Sequence, residues 1–311
     1  MIGKWAVYWV LILGMFLSIP GSAHAGQAEN DENSKPIRFG LTAVVVRENI
    51  RFLDRWSQYL SRKMGHTVEF VRRKSYREVM DLLESGRIDF AWICGYPFVK
   101  KRDPEYIKLL SVPIYAGKPL YHSFIIVHKD SPYQTIEDLK GTVFAFSDPE
   151  SNSGYLYPLF LLASQGNTPE KFFRQTFFTY NHAETVEAVA EQVANGGAVD
   201  SYIWEYLNAQ HPELAGKTRV IDRSPAFGFP PLVSRIGANA RTVRKMKITL
   251  LGMSNDPEGQ KFLAGLKLDK FGQSPPELFD SIRDMDAKTR KALPWATLSK
   301  RKKKVIAAGK E

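Results

Sequence analysis

The chain has 311 residues, of which 44% are hydrophobic, and a formal net charge of +10. This length allows one large or two ordinary domains, and the hydrophobic content is that of a globular protein with a substantial core. The single cysteine, Cys94, excludes an intramolecular disulfide and a metal site built on several cysteines. We expect Cys94 to be a buried and unreactive thiol.

The first 25 residues have the pattern of a secretory signal peptide. Lys4 precedes an apolar run at 5–17, Pro20 ends that run, and Ala23-His24-Ala25 is a small-x-small cleavage motif. An uncleaved membrane anchor is the alternative, although the apolar run is short for a full span. We therefore expect an exported protein that is cleaved after Ala25.

Much of the net positive charge comes from Lys300 to Lys304 and Lys310, most of which lie in a basic tail at residues 301–311. A terminal run of this kind is usually solvated. The net positive charge favours binding of a small anionic ligand, and also of an anionic membrane surface. An exported chain without stacking or groove-reading motifs is not expected to bind nucleic acid.

From residue 36 onwards, strand patterns alternate with helix patterns, which is typical of βαβ units and a mostly parallel sheet. The two halves of this region look alike. The predicted elements in chain order are strand 37–42, helix 52–64, strand 68–71, helix 76–83, strand 88–93, strand 122–128, helix 135–140, strand 143–146, helix 155–164, helix 169–173, strand 177–180, helix 185–194, strand 200–204, strand 220–221, and helices 242–253 and 257–264.

Polar groups follow four of the predicted strands. They are Thr42, the turn 94–97, the serine-rich turn 151–153 and the pair Asn181-His182. Ligands of open α/β sheets bind at the carboxyl ends of strands. These four positions are therefore the candidates for a binding site.

The serine-rich turn has the features of an anion site. It lies between a buried strand and a helix, where backbone N–H groups and the helix dipole favour negative charge. Ser151, Asn152 and Ser153 are good N-cap residues, and Gly154 allows close backbone approach. The alternative is an ordinary strand–turn–helix connection with a serine cap.

Taken in order and spacing, four motifs resemble one family. The chain is similar, over residues 37–285, to the substrate-binding proteins of bacterial phosphonate, phosphite and phosphate ABC transporters. The motifs are Tyr76-Arg77-Glu78-Val79-Met80 followed by residues 86–92, residues 126–131 followed by residues 137–141, Asp148 to Tyr155, and His182 followed by Ala198-Val199-Asp200.

This resemblance implies an α/β periplasmic-binding-protein fold with two lobes. Each lobe would be a mixed, mostly parallel sheet flanked by helices, and two hinge crossovers would join them. Lobe one would comprise residues 36–120 plus 235–300, and lobe two would comprise residues 121–234. The ligand would be clamped between the lobes by hinge closure.

The resemblance also implies the ligand contacts, which come from both lobes. The serine-rich turn would supply Ser151, Asn152, Ser153 and Gly154, lobe one would supply Tyr76, and a helix start would supply His182. Tyr76 as a helix tyrosine packed on the core, and His182 as a capping or surface histidine, are the alternatives.

Two further contacts, Tyr96 and Glu205, are implied less directly. Tyr96 would substitute for an aromatic ring that some aminophosphonate binders have at the Cys94 position. Glu205 would accept a hydrogen bond from a protonated phosphonate or from a ligand amine, with a solvated glutamate at a helix start as the alternative. The loop at 228–231 has no acid to hold a ligand amine, which favours phosphite, phosphate or a methylphosphonate-like ligand.

We therefore expect a high-affinity binding protein that delivers a small phosphorus oxyanion to an ABC permease. It would be a monomer, with no cofactor and no metal, and it would not be an enzyme, because no catalytic signature is evident. The alternative is a binding protein that reports an anion to a membrane receptor or kinase.

Overall fold

The structure is a computed structural model that describes residues 35–42, 50–101 and 106–293. The predicted signal peptide at 1–25 and the basic tail at 301–311 lie outside the described residues. The strands are β1 (Ile37–Leu41), β2 (Val68–Arg72), β3 (Phe90–Trp92), β4 (Ile107–Ile114), β5 (Leu120–Tyr121), β6 (Ser123–His128), β7 (Val143–Phe146), β8 (Gln175–Phe178), β9 (Gly196–Asp200), β10 (Thr218–Arg223), β11 (Phe227–Gly228), β12 (Leu232–Arg235) and β13 (Lys270–Gly272).

Helices lie between most of these strands. Within the described part of the chain, no helix is both long enough and apolar enough to cross a membrane. The α-helices are α1 (Ile50–Met64), α2 (Tyr76–Glu84), α3 (Gly95–Lys101), α4 (Tyr157–Ser164), α5 (Pro169–Phe172), α6 (His182–Ala190), α7 (Ser201–Gln210), α8 (Pro212–Ala215), α9 (Ala240–Gly252), α10 (Pro257–Gly265) and α11 (Asp280–Ala292).

Two sheets with the same internal plan form the scaffold. The first has the strand order β13-β4-β12-β3-β1-β2, and the second has the order β10-β6-β9-β7-β8. In the first sheet β2, β1 and β3 are parallel and β12 is antiparallel to β3. In the second sheet β8, β7 and β9 are parallel and β6 is antiparallel to β9. The expected likeness of the two halves is therefore present in the strand order.

Local sequence signals explain several of these elements. Ser75 caps α2 in a full capping box with Glu78, and Pro169 starts α5 at its first helical position. Gly65, at the end of α1, has a φ of +60°, a conformation that favours glycine. Each of these signals was readable from the sequence.

Residues 200–204 are not the strand that we expected. The strand is the glycine-rich segment Gly196–Asp200, and α7 begins at Ser201. Glycine is needed there because a Cβ on Gly196 would lie 2.7 Å from Leu139, and one on Gly197 would lie 2.7 Å from Thr185. The glycine-rich segment lacks the β-branched and aromatic residues that are typical of a strand, whereas the apolar start of α7 has a pattern that a strand could also have.

Two of the predicted turns also differ from the structure. The expected turn 94–97 is the first part of helix α3, and the helix expected from Tyr155 begins instead with a π-helical turn, Asn152–Leu156. In addition, residues 232–234, which we placed in lobe two, pair with β3 and β4 of the first sheet. The lobe boundaries otherwise stay a prediction.

Candidate ligand-binding site

Four fully buried side chains each carry a polar atom without a hydrogen-bond partner among the described residues. These atoms are the Tyr76 hydroxyl, Asn152 Oδ1, the Ser153 hydroxyl and His182 Nε2. Each of the four residues is at most 1% exposed. Buried polar groups almost always have partners, so this set is the pattern expected of a ligand site. The other such atoms, which none of the described hydrogen bonds links to these four, belong to Trp56, His66, Ser111 and Ser131.

The turn that carries Asn152 and Ser153 is fixed by its own hydrogen bonds. Ser151 caps the π-helical turn, and its Oγ accepts the Gly154 N–H at 2.9 Å. The Ser147 N–H donates to the Gly154 carbonyl at 3.1 Å. A Cβ on Gly154 would lie 2.5 Å from the Cβ of Ser147, so the close backbone approach expected at Gly154 is present. The Ser151 hydroxyl keeps its own proton for donation.

Asn152 connects this turn to Cys94, which follows β3 of the first sheet, and to Tyr121 of β5. Its N–H donates to the Cys94 sulfur at 3.2 Å, and its Nδ2 donates to the Tyr121 hydroxyl at 3.0 Å. The Cys94 sulfur lies 4.0 Å from the same hydroxyl. The Cys94 thiol is buried, as expected, and burial raises its pKa to about 11.

His182 is held in one tautomer by the backbone. It opens α6, where Asn181 caps the helix by accepting the Ala183 N–H. The Asp200 N–H donates to His182 Nδ1 at 3.1 Å. Burial lowers the pKa of His182 to about 3, so the ring is neutral at physiological pH. A neutral ring that accepts at Nδ1 carries its proton on Nε2, which is therefore a donor.

Asp200 is a buried acid that sequence reasoning missed as a site residue. It is 1% exposed and caps α7, where Oδ1 accepts the Tyr202 N–H at 2.8 Å. Burial raises the pKa of the Asp200 carboxyl to about 8, with backbone N–H bonds and Glu205 as smaller influences. We had read residues 200–204 as a strand, so the helix-capping signal of the aspartate was not recognised.

Tyr76 brings the first sheet against the serine-rich turn. Its N–H donates to Asp148 Oδ2 at 3.1 Å, while its ring is buried. Burial, followed by the nearby Cys94, raises the pKa of the Tyr76 hydroxyl far above its usual range. The hydroxyl is therefore always protonated and can donate. Asp200 and Tyr121 contribute to the same shift, so these groups lie within electrostatic reach of one another.

An ion-pair cluster lies beside this contact. Glu150, at the start of the turn, pairs with Arg77 of α2 and with Lys100 of α3, both at 3.3 Å. The Glu150 side chain is only 12% exposed, whereas that of Arg77 is 69% exposed. Segment 148–150 therefore docks onto the first-sheet helices through both a main-chain and an ionic contact.

The polar ends of Tyr96 and Glu205 have other partners. The Tyr96 hydroxyl donates to Asp286 of α11 at 2.9 Å, and Glu205 Oε2 accepts the Tyr115 hydroxyl at 2.6 Å. No hydrogen bond among the described residues links the polar ends of Tyr96 and Glu205 to the four unpaired polar atoms of the candidate site. Ligand contact by Tyr96 and Glu205 stays a prediction.

Comparison with known proteins decides the family. The chain matches the family described as "ABC transporter, phosphonate, periplasmic substrate-binding protein" over residues 42–278. The chain belongs to this family. This family consists of periplasmic substrate-binding proteins of transporters. The phosphonates-binding periplasmic protein of Escherichia coli (strain K12) is 25% identical over 266 residues, which are 83% of this chain and 78% of that protein.

Solved structures of phosphonate-binding proteins share the fold. A binding protein component of an ABC phosphonate transporter from Pseudomonas aeruginosa has a TM-score of 0.77 and 25% identity, covering 83% of this chain and 88% of that one. A Prochlorococcus marinus protein in complex with methylphosphonate has a TM-score of 0.73 and 18% identity, covering 83% and 100%. The expected α/β, two-lobed periplasmic-binding-protein fold is therefore confirmed.

Proposed function

We propose that this chain binds a phosphonate, phosphite or phosphate between its two sheets and delivers it to the permease of an ABC transporter. The observation that carries the proposal is the set of four buried, partnerless polar atoms in Tyr76, Asn152, Ser153 and His182. The relative from Escherichia coli is a phosphonates-binding protein, which supports the same ligand class.

The proposed ligand contacts are mostly neutral donors. The Tyr76 hydroxyl, the Ser153 hydroxyl and His182 Nε2–H each offer a proton to an anionic oxygen. A hydrogen bond to a charged group contributes about 1.5–3 kcal/mol. Ser151 and Gly154 keep the turn in place, with the Ser151 hydroxyl as a further donor. Because Tyr76 begins α2, which follows β2 of the first sheet, and the turn follows β7 of the second sheet, the ligand would stabilise the closed arrangement through contacts from both sides.

We place the loop 228–231 at one wall of the site because the resemblance puts there the acid that would hold a ligand amine, and in this chain the loop carries no acid. Phe229 is fully buried, and its ring lies 5.9 Å from that of Tyr121 and 5.2 Å from that of Tyr202. The Pro230 carbonyl is used by Trp92 Nε1–H at 2.9 Å. This wall supports a small or methyl-bearing ligand over one that carries an ammonium group.

Export and partners follow from the same proposal. The chain would be secreted through the signal peptide and cut after Ala25, and it would act as a monomer with one ligand per chain. Mass spectrometry of the exported protein tests the cleavage point. A permease gene beside the coding sequence favours delivery, whereas a receptor or kinase gene favours reporting of the anion.

A thermal-shift panel on the mature, ligand-free protein tests the function. It compares phosphite, methylphosphonate, phosphate and aminoethylphosphonate, with sulfate and small carboxylates as comparators, at millimolar concentration. A micromolar ligand should raise the melting temperature by mass action. If folded protein shows no shift with any phosphorus compound, the proposed ligand class is wrong.

A further inference from the structure

The amide of Asn152 presents an acceptor where an anion would need a donor. Nδ2 is already bonded to the Tyr121 hydroxyl, and the backbone N–H of Asn152 is bonded to the Cys94 sulfur. The remaining atom, Oδ1, is buried without a partner. A side-chain carbonyl oxygen can only accept. The ligand must therefore bring at least one proton to this position.

The charged groups near the site also favour a ligand that carries a proton. Burial is the main cause of the raised pKa of the Tyr76 hydroxyl, and the Asp148 and Asp200 carboxyls lie close enough to raise this pKa further. No lysine or arginine is among these leading influences. Above its pKa of about 6 the Asp148 carboxylate is negative, and it favours the ligand form with fewer negative charges.

Resting on the proposed function, we propose that the site binds its phosphorus oxyanion as the singly protonated monoanion, and that Asn152 Oδ1 accepts the hydrogen bond from the ligand's P–OH group. The two unprotonated oxygens then take the donors of Tyr76, Ser153 and His182. Asn152 is thereby the residue that distinguishes the monoanion from the dianion, and from oxyanions such as sulfate that carry no proton at neutral pH.

The titratable groups that face this position can be separated from the ligand. Tyr76, Cys94, Tyr121 and His182 do not change charge between pH 5 and 9, because their pKa values are shifted outside that range. Burial places the Asp148 carboxyl at a pKa of about 6 and the Asp200 carboxyl at about 8, and Glu205 acts on Asp200. If the titration of these carboxyls changed the ligand affinity, the plot of Kd against pH would change slope at the same pH for every ligand.

The test measures Kd by calorimetry from pH 5 to 9 for phosphite and for methylphosphonate. The second pKa of each ligand is determined in the same buffers by phosphorus NMR. We expect Kd to be constant below the ligand's second pKa and to rise about tenfold per pH unit above it. The pH at which Kd begins to rise should therefore differ between the two ligands and follow the second pKa of each.

Three results would overturn the inference. They are a break at the same pH for both ligands, a Kd that does not change with pH, and tighter binding of the dianion. The last result corresponds to the reversed amide of Asn152, which would present its NH2 group as an additional donor. If no phosphorus oxyanion binds at any pH, the proposed function fails instead, so the two failures are distinguishable.

A matched pair of variants assigns the effect to Asn152. N152D replaces the amide by a carboxylate of the same shape, and we expect it to weaken methylphosphonate binding at least tenfold at pH 8 and less at pH 5. The control is N195D, because Asn195 likewise donates Nδ2 to a tyrosine hydroxyl, that of Tyr133, at 3.5 Å. If N152D binds as N195D does at both pH values, the assignment is wrong.

Discussion

The backbone N–H of Asp200 donates to Nδ1 of His182 at 3.1 Å, and this contact leaves the proton of the neutral imidazole on Nε2. The ring of His182 is buried, and its pKa is lowered to about 3. A buried histidine of this kind is a fixed neutral donor and not a titrating switch. Nε2–H can therefore donate a hydrogen bond to an anionic oxygen over the whole physiological pH range.

His182→Gln should retain a donor but lose its fixed position, and His182→Ala should lose it entirely. We expect the alanine variant to weaken binding by about 10- to 150-fold, equivalent to about 1.5–3 kcal/mol. Nitrogen NMR of the ligand-free protein should show the Nε2–H tautomer from pH 5 to 8. Titration of His182 within that range would contradict the assignment.

Tyr76→Phe and Ser153→Ala each remove one hydroxyl that is buried without a partner. Each should weaken binding by about 10- to 150-fold, and Tyr76→Phe should cost little stability because the Tyr76 hydroxyl has no hydrogen-bond partner in the described protein. The control is Ser131→Ala, which also removes a buried, partnerless hydroxyl but from residue 131, outside the site. Calorimetry should show an unchanged Kd for the control, and the site is misplaced if all three variants behave alike.

Gly154→Ala should destabilise the protein, because the new Cβ would lie 2.5 Å from the Cβ of Ser147 and 2.7 Å from its hydroxyl. Overpacking of this kind costs about 1–3 kcal/mol. The matched control is Gly252→Ala, where nothing lies within 4 Å of the added Cβ. Urea unfolding should separate the two variants, and equal stabilities would contradict the close approach in the turn.

Asp200 should make the free protein less stable as pH rises. Its pKa is about 8 in the folded state, against a usual 3.8, so the folded state binds more protons between these values. The stability that the protonated Asp200 contributes is present at pH 4 and is lost towards pH 8, by at most about 1.4 kcal/mol per pH unit. Asp200→Asn should flatten the dependence in urea unfolding at pH 5 to 8, and an unchanged slope would exclude Asp200 as its source.

Much of the fold could be predicted because its signals are local. Capping residues and apolar periodicity placed α1, α2 and most strands of both sheets. The strand β9 could not be found in this way, since its glycines are selected by neighbours such as Leu139 and Thr185, which are distant in the sequence. Propensity does not contain that information.

The residues of the candidate site likewise divide into those that the sequence indicated and those that only tertiary packing reveals. Tyr76, Asn152, Ser153 and His182 were named from a family resemblance, and the structure leaves a polar atom of each without a partner. Tyr121 was missed because β5 has only two residues and no pattern of its own. The partners of Tyr96 and Glu205 were also beyond reach, since Asp286 and Tyr115 are brought to them only by tertiary packing.

Cys94 gives the protein a built-in probe of motion between the sheets. It is the only cysteine in the chain, and its buried sulfur touches the backbone of the serine-rich turn. A thiol reagent can reach it only when that turn moves away, so the rate of labelling counts opening events without any engineered residue. Saturating ligand should slow the labelling, and the ratio of the two rates would measure how strongly the bound anion holds the turn in place.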